Sequence, residues 1–183
     1  MKPVILEAFE NENFIGNTLK RLFEQKGQEY FYFKLKDMNI LPCRSCGICS
    51  IKTPGKCIVV DDDMPVILKA VASSSMLIMI TPIVFGGYSS QLKKAVDKFM
   101  LLATPLYSGK GGRLLHLPRY GHKSLLGIGV TKNNSRFQED SFRKLVAHNA
   151  LNLQYANSTL VFKPSDETAK IKRDIELALK EGK

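Results

Sequence analysis

The sequence predicts a three-layer α/β domain with a doubly wound parallel five-stranded sheet in the order 2-1-3-4-5. Strand-like and helix-like patterns alternate five times along the 183 residues, and right-handed crossovers then make the strands parallel. The run 76–80 is entirely apolar, as expected of a central parallel strand that helices cover on both faces. The length suits one such domain, so we assign residues 1–183 to a single domain.

Each predicted element follows from its own pattern. The strands are short apolar or aromatic runs, at 4–9, 29–35, 76–80, 125–130 and 158–162. The helices repeat apolar residues every three or four positions, at 18–27, 64–71, 92–100, 142–153 and 166–179. Thr18 is expected to start the first helix and Gly27 to end it. The acidic triplet 61–63 suits the positively polarised start of the second helix, so we interpret it as a cap and not as a metal site.

The segment 104–123 is too long for a minimal connection between a helix and a strand. It contains two prolines and four glycines, which are typical of turns. We interpret it as a lid or as an arm that contacts a second subunit.

All four cysteines lie within fifteen residues, in the predicted loop 42–60, at Cys43, Cys46, Cys49 and Cys57. Three evenly stepped cysteines followed by a more distant fourth are typical of ligands to a [4Fe-4S] cluster. Zinc sites more often use two separated Cys-x-x-Cys pairs. The spacing therefore favours an iron-sulfur cluster, with a zinc site or reduced, packed thiols as the alternatives.

The composition limits the class of protein. With 44% hydrophobic and 24% charged residues, and no apolar run near the roughly 20 residues of a membrane span, we expect a soluble protein with no membrane partner. The first residues lack the features of a signal peptide, which indicates the cytoplasm. The formal charge of +10 comes from dispersed lysines and arginines without interleaved aromatics, so we expect no nucleic-acid partner. Its predicted use is to steer acidic redox partners or a phosphorylated dinucleotide.

Two unusual loops should meet at the carboxyl ends of the first and third strands, where such sheets bind ligands. The first precedes a helix N-terminus, which suits a phosphate. The second contains two glycines, which let the backbone approach a planar ring. Phosphate and ring together fit FMN, and the predicted contacts are Phe9, Asn11, Asn13, Gly16, Asn17, Thr18, Pro82, Ile83, Val84, Phe85, Gly86, Gly87, Tyr88 and Thr131. In the alternative interpretation, Gly16 and Asn17 shape a turn, Thr18 caps a helix and Phe85 belongs to the core.

Three sequence blocks together resemble the flavodoxin-like NAD(P)H-dependent FMN reductases and, within them, the iron-sulfur flavoproteins. The blocks are 16–18, then 43–57 with 61–64, and then 81–89 leading to 91–93 and Asp97. The resemblance implies a flavin phosphate on the first loop, the isoalloxazine ring against 82–88, and a [4Fe-4S] cluster on the four cysteines. It also implies a homodimer, or a dimer of dimers, with the flavin near the interface.

One departure from the family pattern bears on the cofactor. The family places a serine and a basic residue at the start of the phosphate loop, whereas this chain has Phe-Glu-Asn-Glu-Asn at 9–13. Glu10 and Glu12 therefore stand where an anion should bind, and we expect FMN to be retained less firmly on purification. Asn11 and Asn13 are the expected replacement donors.

The predicted function is an electron-transfer flavoprotein that relays electrons from NAD(P)H or ferredoxin through FMN and the cluster. The cofactors carry that chemistry, so no catalytic acid or base is predicted. His116 and His122 lie in the segment 104–123 and could touch substrate, but they have no visible partner, so these two and His148 are interpreted as ordinary surface residues. Tyr88 and Tyr107 are interpreted as either stacking or packing residues. The alternatives are a plain FMN reductase without a cluster, and a non-enzymatic zinc or redox-sensing module with a vestigial flavin site.

Overall fold

The computed structural model describes residues 1–121, 123–132 and 135–181. Its strands are β1 (Val4–Glu7), β2 (Phe31–Lys34), β3 (Met76–Pro82), β4 (Ala103–Lys110), β5 (Arg113–Pro118), β6 (Ser124–Val130) and β7 (Ala156–Phe162). Five of them form one sheet, in the order β2-β1-β3-β6-β7, and every neighbouring pair is parallel. Counted along these five strands the order is 2-1-3-4-5, which confirms the predicted fold.

The helices alternate with the strands of this sheet. They are α1 (Phe14–Gln25), α2 (Ile48–Ile51), α3 (Met64–Ser73), α4 (Ser90–Asp97), α5 (Arg136–Leu153) and α6 (Thr168–Glu181), with short 3-10 helices at Leu35–Asp37 and Lys98–Leu102. Within the described ranges, every helix is too short or too polar to cross a membrane.

The sheet separates two apolar layers. One layer contains buried residues of α3, α4 and α5, and the other contains buried residues of α1 and α6. Side chains of β1 alternate between them, since Val4 and Leu6 belong to the first layer and Ile5 to the second. All of β3 from Met76 to Thr81 is buried, as its uninterrupted apolar run predicts.

Helix α1 begins four residues before the predicted start at Thr18. The side-chain oxygen Oδ1 of Asn13 accepts a hydrogen bond of 2.8 Å from the Gly16 N–H, so Asn13 is the N-cap. The prediction that Thr18 starts or caps the helix is therefore wrong. Thr18 is only 6% exposed and lies on the buried side of the helix.

The segment predicted as a lid or arm is largely a β-hairpin. Strands β4 and β5 pair antiparallel in a separate two-stranded sheet. Gly111 and Gly112 form its turn with φ of +57° and +72°, the left-handed conformation that two-residue hairpin turns require. Leu106 and Leu114 are 62% and 76% exposed on this hairpin. Its role as lid or arm stays a prediction, and His122 lies outside the described residues.

Candidate functional site

Backbone hydrogen bonds link the strand ends at the carboxyl edge of the sheet. The Ala8 N–H donates to the Ile80 carbonyl at 2.8 Å, and the Ile83 N–H donates to the Val130 carbonyl at 2.8 Å. Thr131 follows directly after β6 and is 1% exposed. The loops after β1, β3 and β6 therefore start from a common edge, at the position where doubly wound sheets bind ligands.

The loop between β1 and α1 turns its carboxylates outward. Glu10 and Asn11 are exposed, and the Glu12 side chain is 77% exposed. The Nζ atom of Lys36 donates to the backbone carbonyl of Glu10 at 2.9 Å. The Nζ atom of Lys34 lies 3.9 Å from Oε1 of Glu12. The carboxylates that could repel an anion thus face solvent, and two ammonium groups lie against the same loop.

Asn13 contributes both an acceptor and a donor to this loop. Its Oδ1 is used by the Gly16 N–H, whereas its Nδ2 is buried and has no hydrogen-bond partner among the described residues. Buried amide groups in native proteins nearly always have partners. A bound acceptor such as a phosphate or ribityl oxygen would satisfy this donor, which fits the predicted cofactor.

Gly16 is required for packing inside the protein. A Cβ atom at this position would collide with the Glu7 carboxylate and the Tyr32 hydroxyl, which are hydrogen-bonded to each other. Glu7 is 4% exposed, and burial raises its pKa, although Lys34 and Lys20 nearby act in the opposite direction. The glycine predicted to contact the cofactor therefore lies against a buried Glu–Tyr pair below the loop.

The loop between β3 and α4 contains a tight turn. Val84 and Gly87 exchange backbone hydrogen bonds of 3.0 and 2.8 Å, and Phe85 and Gly86 have φ of +49° and +79°. A non-glycine residue in the left-handed region costs energy and often marks a functional site. Phe85 is 95% exposed, so the interpretation that places it in the core is wrong.

Tyr88 lies below this loop. Its hydroxyl accepts a hydrogen bond of 2.8 Å from Nδ2 of Asn149, and its ring meets Phe142 edge-on at 5.8 Å between centroids. Tyr88 is 7% exposed, and burial raises its pKa to about 12. Of the two roles weighed for this tyrosine, the structure shows packing. Tyr107 is 58% exposed and its ring lies 4.1 Å from that of His116.

The structure brings most of the predicted cofactor contacts to this one edge. The exposed or half-buried ones are Phe9, Asn11, Asn13, Asn17, Pro82, Val84, Phe85 and Gly87. The buried ones are Gly16, Thr18, Ile83, Gly86, Tyr88 and Thr131. Side-chain contact with a cofactor is therefore open mainly to the first group.

The cysteine loop folds around two left-handed residues. Ser45 and Gly47 have φ of +51° and +69°, and Gly47 leads into the single turn of α2. Cys43, Cys49 and Cys57 line a common cavity of about 370 Å³, as do residues of α4 and the following 3-10 helix. Cys46 is exposed.

The thiols have polar and electrostatic neighbours. The Ser45 N–H donates to the Cys43 sulfur and the Val59 N–H to the Cys57 sulfur, each at 3.4 Å. Burial raises the pKa of Cys49, and the other three cysteines add to the effect. In the part of the chain that the structure describes, the cysteines do not converge in a metal-binding arrangement.

A buried ion pair lies beside the cysteine loop. The Asp62 carboxylate pairs with the Lys98 ammonium, and both side chains are 1% exposed. The same carboxylate accepts hydrogen bonds from the Leu41 N–H at 3.3 Å and the Met64 N–H at 3.2 Å. Asp62 therefore joins the chain before the cysteines to the chain after them, and Lys98 joins both to the segment that follows α4.

Further contacts of the acidic triplet strengthen this junction. Asp63 accepts a hydrogen bond of 2.8 Å from the Asn39 N–H, and the Asn39 side chain donates to the Asp61 carbonyl at 2.9 Å. We call the contacts of residues 61–63 with Asn39, Leu41 and Lys98 the acidic clamp. Asp63 occupies the N-cap position of α3, as predicted for the triplet, but its side chain makes no capping hydrogen bond. Asp62, one residue earlier, accepts from the first N–H of the helix, at Met64, and the other side-chain bonds of the triplet close the cysteine loop.

Sequence reasoning missed three lysines at these sites, namely Lys34, Lys36 and Lys98. The first two reach the loop after β1 because Glu7 and Lys34 are aligned in the parallel pairing of β1 with β2. The alternation of side chains around the end of the second predicted strand, 29–35, could have indicated that these two lysines lie near the loop after β1. No local pattern relates Lys98 to Asp62, which lies 36 positions earlier.

Similar proteins include three curated relatives named iron-sulfur flavoprotein. The protein of Methanocaldococcus jannaschii is 36% identical over 74 residues, which is 40% of this chain and 37% of the relative. That of Archaeoglobus fulgidus is 29% identical over 103 residues, or 56% and 51% of the two chains. That of Methanosarcina thermophila is 31% identical over 91 residues, or 50% and 46%. The matches span about half or less of these relatives.

Solved structures share the fold at low identity. An FMN-dependent NADH-azoreductase from Bacillus anthracis in complex with FMN has a TM-score of 0.66 at 15% identity, covering 100% of this chain and 99% of that one. An NAD(P)H:quinone oxidoreductase from Methanothermobacter marburgensis has a TM-score of 0.64 at 13% identity, covering 100% and 97%. Residues 10–157 match the family model described as NADPH-dependent FMN reductase. The chain therefore belongs to the NADPH-dependent FMN reductase family.

Proposed function

We propose that the chain is an FMN-dependent oxidoreductase that accepts electrons from NAD(P)H or ferredoxin and passes them on through a [4Fe-4S] cluster. The observation that carries the proposal is the position of α4. The predicted flavin loop 82–88 leads into its start, and the cysteine cavity is lined by Lys93 in its middle, Asp97 at its end and Lys98 just beyond it. An eight-residue helix is about 12 Å long, so one short element joins the two candidate sites.

The residues at the sheet edge suit FMN. The unpartnered amide of Asn13 and the first backbone N–H groups of α1 would bind the phosphate, and the turn 84–87 would approach the ring. FMN, when bound, exchanges two electrons with a nicotinamide and single electrons with a one-electron partner. The chain's own part is to position the ring, bind the phosphate and exclude water.

The four cysteine sulfurs at this cavity are the kind of donors that a [4Fe-4S] cluster requires. Cys43, Cys46, Cys49 and Cys57 would be the ligands, with Cys46 turning inward from its exposed position. The backbone N–H groups at the Cys43 and Cys57 sulfurs are of the kind that stabilises thiolate ligands. Lys98 also lines this cavity, with its ammonium paired to the Asp62 carboxylate.

The hairpin β4–β5 is the segment we propose for subunit contact in a homodimer, or in a dimer of dimers. Leu106, Tyr107 and Leu114 are exposed on it, and exposed apolar side chains of this kind are common in subunit interfaces.

Anaerobic purification with iron, zinc and flavin analysis of one sample tests the proposal. We expect FMN together with about four irons per chain, the content of a cubane cluster. Zinc without flavin would contradict the electron-relay function. Light scattering on the same sample would test for the dimer.

A plain FMN reductase is the second candidate, because the described cysteines do not converge in a metal-binding arrangement. The variant Cys46→Ser separates the two. Under the first proposal it loses iron and the transfer of electrons to one-electron acceptors. Under the second it keeps full nicotinamide-dependent flavin reduction and never contains iron.

A further inference from the structure

We propose that Lys36, assisted by Lys34, is the residue that neutralises the phosphate of FMN. This inference rests on the proposed function and names a part of the same site. The loop after β1 has no cationic residue, so a lysine at the end of β2 neutralises the phosphate instead.

The loop itself contains no cation. Residues 9–13 are Phe-Glu-Asn-Glu-Asn, so it provides two carboxylates and two amides. A phosphate monoester carries a charge of about −1.5 to −2 at neutral pH. Binding it beside Glu10 and Glu12 needs positive charge from elsewhere in the structure.

Lys36 places its ammonium against this loop. Its Nζ donates to the Glu10 carbonyl at 2.9 Å, which fixes the side chain on the loop backbone. A carbonyl carries no net charge, and within residues 1–121, 123–132 and 135–181 Lys36 makes no salt bridge. Lys36 acts only weakly on the buried Glu7 carboxyl, as the smallest of the charges that shift its pKa, so its ammonium is available to a bound anion.

Lys34 is a weaker second cation. Its Nζ lies 3.9 Å from Oε1 of Glu12, a long contact to a side chain that is 77% exposed. A phosphate can compete with such an exposed pair, because solvent screens the pair and the pair contributes little stability. Lys34 is aligned with Glu7 in the sheet, so its backbone position at the edge is fixed.

Binding of FMN and of riboflavin, followed by flavin fluorescence, tests this role. Riboflavin has the same ring and ribityl chain but no phosphate. In Lys36→Gln we expect FMN affinity to fall about ten-fold, the size of one charge-assisted hydrogen bond, with riboflavin affinity unchanged. Lys34→Gln should show a smaller loss, and Lys36→Arg should retain most of the affinity. The salt dependence of FMN binding should also become weaker in Lys36→Gln.

The matched control is Lys26→Gln. Lys26 is exposed at the opposite end of α1, about 18 Å of helix from the loop, and should leave both affinities unchanged. Equal losses for FMN and riboflavin in Lys36→Gln would mean that Lys36 only fastens the loop, which overturns the inference. Unchanged FMN affinity in that variant would also overturn it, while leaving the proposed function intact. A wild-type chain that binds neither flavin would overturn both.

Discussion

Removing Lys98 tests the energetic role of the acidic clamp. In Lys98→Met, the buried Asp62 carboxylate keeps only the N–H groups of Leu41 and Met64, at 3.3 and 3.2 Å. Because both side chains of the ion pair are 1% exposed, water cannot replace the lost ammonium. Breaking a buried pair in this way costs about 3–5 kcal/mol of the free energy of unfolding. Asp62→Asn, which leaves the buried Lys98 ammonium without its carboxylate, should cost a similar amount.

Urea denaturation at equilibrium, followed by circular dichroism, measures these costs. The double variant Asp62→Asn/Lys98→Met contains no buried charge at this site, and its cost should be far below the sum of the single costs. The matched control is Lys93→Met on α4. Its pair with Asp97 is 56% and 40% exposed, so solvent screens it, and its loss should cost about 0.3–0.5 kcal/mol.

Either of two results would contradict this role of the ion pair. One is a cost of Lys98→Met as small as that of Lys93→Met, which would mean that the pair is hydrated in solution. The other is strict additivity of the two single costs in the double variant, which would mean that the two side chains do not interact.

Three further predictions concern the sheet and its loops. Burial raises the pKa of Glu7 above its ordinary value of 4.5. The folded chain therefore keeps that proton to a higher pH than the unfolded chain does, and the protein loses stability as the pH rises from the unfolded pKa to the folded one. Glu7→Gln should therefore gain stability relative to the wild type as the pH rises above 4.5, measured by urea titrations at a series of pH values. Gly127→Ala should cost about 1–3 kcal/mol in the same assay, because its Cβ would lie 2.7 Å from a methyl carbon of Val146. Asn13→Ala should cost about 0.5–2 kcal/mol through loss of the α1 cap, whereas Asn13→Asp keeps the acceptor and should cost less but weaken FMN binding.

Each of these has its own control. A stability difference between Glu7→Gln and the wild type that does not change with pH would contradict burial of the ionised group. For Gly127, the variant Val146→Ala makes room for the new methyl group, so the cost of Gly127→Ala should shrink in that background. For Asn13, equal costs of the Ala and Asp variants would contradict the capping role.

The parallel sheet could be predicted because its signals are local. The uninterrupted run of β3 indicated a central strand, and the alternation of elements then fixed the order. The start of α1 could not be placed because Asn13 lies among other polar residues, and its capping role depends on one side-chain bond. The hairpin was missed although Gly111–Gly112 is a known turn signal, because the flanking prolines and glycines suggested a loop.

The candidate site likewise contains features that local patterns predict and contacts between distant residues that they do not. The two loops at the sheet edge follow from topology, and the cysteine spacing is visible in the sequence. The charges around them were not predicted, since Lys36 meets Glu10 across 26 positions and Lys98 meets Asp62 across 36. Such pairs depend on register and packing, which act over distances that a pattern in one segment does not cover. The glycines beside Phe85 indicate its position in a loop, but its residue type does not indicate its left-handed backbone.

The acidic clamp makes the cysteine loop an exchangeable cassette. The clamp fixes Leu41 and Asp62, and none of the residues between them is buried, so the hydrophobic core depends little on that segment. Lengthening a closed loop is cheap, since each doubling costs only about 0.6 kcal/mol in chain entropy. Cysteines could therefore be added, removed or respaced between residues 42 and 60 with little change in the free energy of unfolding. A protein engineer could graft a different metal-binding loop onto this scaffold by conserving the clamp alone.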